Sequence, residues 1–195
     1  MSRSSTIERT TSETDVTVAL GLDGDGTVSV ATGVPFFDHM LDALGRHGLF
    51  TLTVAAQGDL EVDAHHTVED VGICLGHAFA EALGDRRGIR RFGSAIVPMD
   101  EALVLASVDI SGRGQLHYAV DVPIELIGTF DTTLAKEFMV ALATNGGMTV
   151  HVRRLAGENA HHIIEAAFKA LSRALAEAVA LDPRVSGVPS TKGSL

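Results

Sequence analysis

His65-His66-Thr67-Val68-Glu69 and, 96 positions later, His161-His162-Ile163-Ile164-Glu165 decide how this chain is read. The second stretch repeats the first at residue level, and the likeness extends outward. Met40-Leu41-Asp42-Ala43-Leu44 matches Phe138-Met139-Val140-Ala141-Leu142, and Gly48-Leu49-Phe50-Thr51 matches Gly147-Met148-Thr149. An internal duplication accounts for all three correspondences.

The elements around the repeats follow the same order twice. Apolar and polar residues alternate over 16–22, the period of a half-buried strand, and a turn at Leu22-Asp23-Gly24-Asp25-Gly26 makes 27–31 the expected return strand of a hairpin. Residues 1–13 are polar and are expected as an arm or first strand. Helical spacing covers 35–44, stopping before Gly48; 49–56 reads as a strand and 65–83 as a long amphipathic helix. The second half then gives strands at 95–97, 103–111 and 115–122, a helix at 134–143, a strand at 148–154 and a long helix at 161–179. The expectation is an α+β chain of two halves, 1–93 and 94–195, each a mostly antiparallel sheet with two helices. No Pro- or Gly-rich linker separates them, so they are expected to share one body.

Composition narrows the function classes. The 195 residues are 46% hydrophobic and 21% charged, enough for a packed core. No run approaches the length of a membrane span, and the N-terminus lacks an apolar leader, so the cytoplasm is the expected location. A net charge of −10 disfavours nucleic acid, whose binding needs surplus cations, and a single cysteine, Cys74, excludes disulfide scaffolds and thiolate zinc knuckles.

Nine histidines are the unusual count. On a helix, residues three and four apart share a face, so His65 and His66 meet Glu69, and His161 and His162 meet Glu165. Imidazole with carboxylate suits a borderline or hard divalent ion. Adjacent histidines point about 100° apart on a helix. Each doublet is therefore better placed to serve two ions, or one ion with help from another chain. A solvated helix start would explain one such motif; two copies at equivalent places argue for ligation. His39 and its counterpart Glu137 are further ligand candidates, one from each short helix. His47 and His151 fall beside strands, where each can face substrate or support the ligands. His77 is expected to pack on its helix, and His117 to be structural or exposed.

Two other motifs carry less. Asp23-Gly24-Asp25-Gly26-Thr27 fits the nucleophile motif of haloacid dehalogenase-like phosphatases, but only about thirty residues separate it from the acidic Gly58-Asp59 region, too few for that fold's βαβ units. No G-x-x-x-x-G-K-[ST] loop is present.

The chain resembles the imidazoleglycerol-phosphate dehydratase family along essentially its whole length. The segments that carry the resemblance are Arg9-Thr10-Thr11-Ser12-Glu13-Thr14, Pro35-Phe36-Phe37-Asp38-His39-Met40-Leu41, His65-His66-Thr67-Val68-Glu69-Asp70, Pro98-Met99-Asp100-Glu101-Ala102, Asp109-Ile110-Ser111-Gly112-Arg113, Gly157-Glu158-Asn159-Ala160-His161-His162-Ile163-Ile164-Glu165 and Pro189-Ser190-Thr191-Lys192-Gly193. The resemblance implies a duplicated ribosomal-protein-S5-domain-2-like fold, and trimers that assemble into a homo-oligomer of twenty-four chains with sites shared between subunits. It also implies two divalent ions per site, Mn²⁺ by expectation, and dehydration of imidazole glycerol phosphate to imidazole acetol phosphate through a metal-bound imidazolate and a diazafulvene-like intermediate. By position, the metal ligands would be His39, His65, His66, Glu69, Glu137, His161, His162 and Glu165. Glu137 stands where members such as the plant enzymes have histidine, which would make the site more anionic. Glu13 is the implied base. Arg91, Arg113, Ser190 and Lys192 are implied as phosphate contacts, with the last two in a tail that closes over substrate. Lys169, one turn after Glu165, is a candidate for contact with substrate or with the groups around the metal, and His47 is the remaining candidate for substrate contact.

Overall fold

The computed structural model describes residues 3–193 and 195. The first half runs β1 (Ser4–Thr10), β2 (Thr14–Gly21), β3 (Val28–Ala31), α1 (Pro35–Gly48), β4 (Thr51–Gly58) and α2 (His65–Leu83). The second runs β5 (Phe92–Met99), β6 (Ala102–Asp109), β7 (Gln115–Ala119), a short hairpin of β8 (Leu126–Ile127) and β9 (Phe130–Asp131), α3 (Leu134–Gly146), β10 (Thr149–Ala156) and α4 (Ala160–Val179). Of the polar stretch 1–13, residues 4–10 form β1, and residues 1 and 2 lie outside the described residues.

The hairpin expected between 16–22 and 27–31 does not form. The first sheet has the order β1-β2-β4-β3, so β4 lies between β2 and β3, antiparallel to one and parallel to the other. Alternation reports that a strand is half-buried and is silent about its neighbour. A parallel partner needs a crossover, and α1 supplies it. The second sheet repeats this plan as β5-β6-β10-β7, with β10 parallel to β7. The Asp23–Thr27 stretch is simply the β2–β3 connection. Arg3 Nε donates to Asp23 Oδ2 at 2.8 Å, and Thr27 N–H donates to Asp25 Oδ1 at 2.9 Å.

Inward strand residues such as Val16, Val18, Leu52, Val104, Val108 and Val152 are buried, and one apolar cluster spans both halves. The helices lie between the sheets and exchange partners across the duplication. α2 packs on β1 and β2 and against α3, while α4 packs on β5 and β6 and against α1. Small residues permit the first pairing. A Cβ on Gly72 would stand 2.8 Å from the Phe138 carbonyl oxygen, and one on Gly76 2.8 Å from the Leu142 carbonyl oxygen. At the second pairing, buried Ser172 donates its hydroxyl to the Leu44 carbonyl. No helix among the described residues is long and apolar enough to cross a membrane.

Local signals fix the helix starts that matter for the site. Pro35 opens α1, preorganised for its first turn. Asp38 accepts from the N–H and hydroxyl of Thr32 at 2.9 and 2.5 Å, tying α1 to the end of β3. α1 continues to Gly48, past the expected stop, and ends on Leu49 in the left-handed region at φ 57°. His47 is therefore on the last turn of α1 and not beside a strand. His77 is exposed, not packed, because it projects from the side of α2 that neither sheet nor α3 covers.

Candidate metal centre and active site

The duplication places a histidine doublet at the start of both long helices. At α4, the Asn159 side chain accepts from His162 N–H at 3.3 Å and caps the first turn. At α2, where Ala64 gives no side-chain cap, Asp63 accepts from His65 N–H at 2.7 Å. Both doublets are thus held on ordered first turns.

His161 meets a ligand from the other half. Because α1 packs on α4, His39 Nε2 lies 3.4 Å from Glu165 Oε2, and His161 Nε2 lies 3.2 Å from the same oxygen. The donor atoms of His39, His161 and Glu165 fall within 4.8 Å of one another, the one such three-donor group among the described residues. Phe36 packs edge-on to the His161 ring at 5.0 Å and fixes its plane. Glu165 is 5% exposed. Burial pushes its carboxyl upward, but the Lys169 ammonium, 2.5 Å from Oε1, and His39 outweigh that and hold it below the ordinary carboxylate range. A buried anionic oxygen between two imidazole nitrogens is a donor set that suits a divalent cation. Lys169, expected at substrate or around the metal, pairs with the candidate ligand Glu165 and also lies 3.5 Å from Met99 Sδ. His47 sits nearby; burial and the Lys169 charge lower its pKa.

Under the duplication, His39, His161 and Glu165 map onto Glu137, His65 and Glu69. The structure does not gather this second set. His65 Nε2 is 3.9 Å from Glu69 Oε2, and Glu137 stands on α3 with Lys136 and Thr133 beside a surface cleft lined by Tyr118 and Val120. Two carboxylates repel each other without a cation between them, where the first set has only one.

The second histidine of each doublet faces a carboxylate. His66 Nδ1 lies 3.0 Å from Asp59 and 3.8 Å from Glu13, and the Asp59 hydrogen bond raises the imidazole pKa. His162 Nδ1 lies 2.7 Å from Glu101 Oε2, with the same effect. Glu101 in turn is held down to about 2 by His162 and by the N–H groups of Asn159 and Glu158. Such carboxylate–imidazole pairs orient metal-ligating histidines. The sequence reading passed over Asp59 and Glu101. Each is an acidic residue in a turn at the end of a sheet, and only the fold brings those turns to the doublets.

Glu13 lies in the β1–β2 turn. Asp70 on α2 anchors that turn by accepting from Arg9 Nε at 2.9 Å and from the Thr14 hydroxyl. Arg91 and the tail residues Ser190 and Lys192 come together elsewhere. Arg91 follows the bend after Gly88, with φ 74°, and its fork grips Asp109 at 2.7 and 3.2 Å. Its remaining terminal nitrogen donates to the Pro189 carbonyl at 2.9 Å, which draws the tail and Ser190 toward it. Lys192 N–H donates to the Ser190 hydroxyl at 3.2 Å, and Arg113 is exposed, following Gly112, whose backbone lies beside Arg86 and Leu195. Arg91 keeps two N–H donors unclaimed by these bonds. His117 and His151 stack at 4.2 Å on the outer face of the second sheet, away from both doublets.

A duplicated α+β chain with a cross-half histidine–carboxylate cluster and a separate basic cluster has the build of a cation-assisted enzyme for a small phosphate ester. The comparisons define it further. Residues 32–175 match the family described as imidazoleglycerol-phosphate dehydratase. The imidazoleglycerol-phosphate dehydratase of Dinoroseobacter shibae is 60% identical over 194 residues, covering 99% of this chain and all of that protein. The crystal structure of the Pyrococcus furiosus enzyme superimposes with a TM-score of 0.84 at 41% identity, covering 97% of this chain and 100% of that one. That of the Staphylococcus aureus enzyme gives 0.83 at 37% identity, over 92% and 99%. The chain belongs to the imidazoleglycerol-phosphate dehydratase family and is a hydro-lyase of histidine biosynthesis.

Proposed function

We propose that the protein converts imidazole glycerol phosphate to imidazole acetol phosphate and water, using two divalent cations, which the family resemblance makes Mn²⁺. The convergence of His39, His161 and Glu165 carries the reading, because the alternating identities of those donors leave no thiolate and suit a borderline-to-hard ion. His65, His66, Glu69, Glu137 and His162 complete the ligand set we infer. Bound there, a cation supplies Lewis acidity that favours loss of the substrate ring N–H.

The chain's own groups do the rest. The carbon that must lose a proton has no adjacent carbonyl, so the ring has to carry the charge. We infer that the ring N–H proton and the neighbouring hydroxyl leave as water, giving a diazafulvene-like species. Glu13, half-exposed and beside His66, then takes the proton from the next carbon while the ring nitrogen regains one, and the enol becomes the ketone. Arg113, Ser190, Lys192 and the two unclaimed donors of Arg91 bind the phosphate.

A second feature supports sites shared between chains. Arg91 N–H donates to the Ala178 carbonyl at the far end of α4, and Arg86 N–H to the Leu83 carbonyl at the far end of α2. From His161 to Ala178 is about 26 Å at 1.5 Å per residue, and from His65 to Leu83 about the same. A three-carbon phosphate ester cannot span that length. The metal end of one chain therefore works with the phosphate end of another, in keeping with trimers assembled into a particle of twenty-four chains. The test is incubation of Mn²⁺-loaded and chelator-treated protein with imidazole glycerol phosphate. Keto product from the loaded protein alone is expected; equal rates without metal, or no keto product, would overturn the reading.

A further inference from the structure

The β5–β6 turn of the second half is the structural counterpart of the β1–β2 turn of the first. Each is a short connection, of three residues (11–13) and of two (100–101), that ends where β2 and β6 begin. Glu13 and Glu101 hold the same place in it, immediately before the strand. Both reach toward the second histidine of a doublet, but their contacts differ. Glu13 stays 3.8 Å from His66 Nδ1, and Asp59 takes the close contact at 3.0 Å. In the second half no such substitute exists among the described residues, and Glu101 Oε2 itself contacts His162 Nδ1 at 2.7 Å.

We propose that Glu101 is a positioning residue that keeps His162 in the tautomer with hydrogen on Nδ1 and so reserves Nε2 for a cation, while Asp59 does this for His66 and leaves Glu13 available as a base. The duplicated turn carboxylates have thereby taken different tasks. The polarity is set by what else Glu101 touches. Its Oε1 accepts from the backbone N–H of Glu158 at 3.1 Å and of Asn159 at 2.9 Å. With both of its oxygens accepting, a carboxylate can receive only an N–H from the imidazole, which puts the hydrogen on Nδ1 and a lone pair on Nε2. Nε2 is 3.6 Å from Asp100, beyond hydrogen-bond reach, so that lone pair is not committed.

This assignment rests on the metal reading above and makes an asymmetric forecast. In Glu101→Gln the amide oxygen is retained by the two backbone donors, so the NH₂ must face His162. It would then donate to Nδ1 and drive the hydrogen onto Nε2, where it blocks a ligand. In Asp59→Asn nothing pins the amide, and a rotated Asn carbonyl still accepts from Nδ1.

Mn²⁺ binding to the full-length protein, followed by the electron paramagnetic resonance of free Mn²⁺, should weaken about 10–100-fold in Glu101→Gln and only a few-fold in Asp59→Asn. Imidazole ¹⁵N shifts of His162 in the metal-free protein give a signature that a merely structural role would not move: hydrogen on Nδ1 in the parent, on Nε2 in Glu101→Gln. Unchanged affinity or an unchanged tautomer in Glu101→Gln would overturn the proposal and leave the metal reading intact. Equal weakening in both variants would also overturn it, since charge loss alone would then suffice. A parent protein that binds no Mn²⁺ would overturn both.

Discussion

Exchanging Glu13 for Gln removes a proton acceptor and almost nothing else, since the side chain is 51% exposed and its turn is anchored by other residues. The expected outcome is a fall in kcat of roughly 10²–10⁴ with an unchanged melting temperature. Steady-state kinetics on Glu13→Gln check it, and an unimpaired variant would remove Glu13 from the mechanism. The His162–Glu101 pair makes a different prediction, for the metal-free protein. The folded-state pKa of His162 is raised above 6.5, so its contribution to stability is complete below 6.5 and disappears as pH climbs through the folded value. That of Glu101 is lowered from 4.5 to about 2, so its contribution is present above 4.5 and lost as pH falls through about 2. The melting-temperature gap between the parent and His162→Ala should therefore be wider near pH 5.5 than near pH 9. A gap that ignores pH would contradict the pairing. At this scale the doublets were legible because a helix repeats every few residues, whereas the carboxylates that hold them come from turns whose reach no spacing rule records.

Gly72 and Gly76 belong to the scale of the element, because they set how closely two helices from different halves approach. Gly72→Val would drive a side chain into the Phe138 carbonyl, and the helices must part. Loss of about 1–3 kcal/mol is expected, measured by denaturant unfolding of the metal-free protein. A neutral result would mean that the α2–α3 contact is looser than its geometry implies. The four helices and most strands were readable from apolar period alone, down to the bounds of α2. The order of strands was not. Whether 28–31 pairs with its predecessor or with β4 depends on where the chain returns after α1, and that is settled by non-local packing. The crossed helix pairing has the same origin. Nothing local in His39 announces Glu165, which lies on the other half and meets it only because α1 rests on α4.

The whole molecule is polarised, with imidazoles and carboxylates at the N-terminal ends of α2 and α4 and the basic tail cluster at their C-terminal ends. Protons and cations compete for the first of these. Imidazoles must be neutral to ligate, so acidification toward roughly pH 5 should strip the metal and break up the particle proposed above; size exclusion with metal analysis reads both effects. A large metal-free particle at pH 7 would count against metal-dependent assembly. The polarity also predicts how damaged chains behave together. Glu165→Gln spoils the metal end, and Arg113→Ala the phosphate end, so each particle alone should be nearly inactive. If one site draws these residues from different chains, particles reassembled from an equal mixture contain sites with both parental groups, about a quarter by random assortment. Activity should reappear at that fraction, and only after dissociation and reassembly. If each chain built its own site, every site would retain one lesion and the mixture would stay inactive, because no assortment of chains could then unite an intact Glu165 with an intact Arg113.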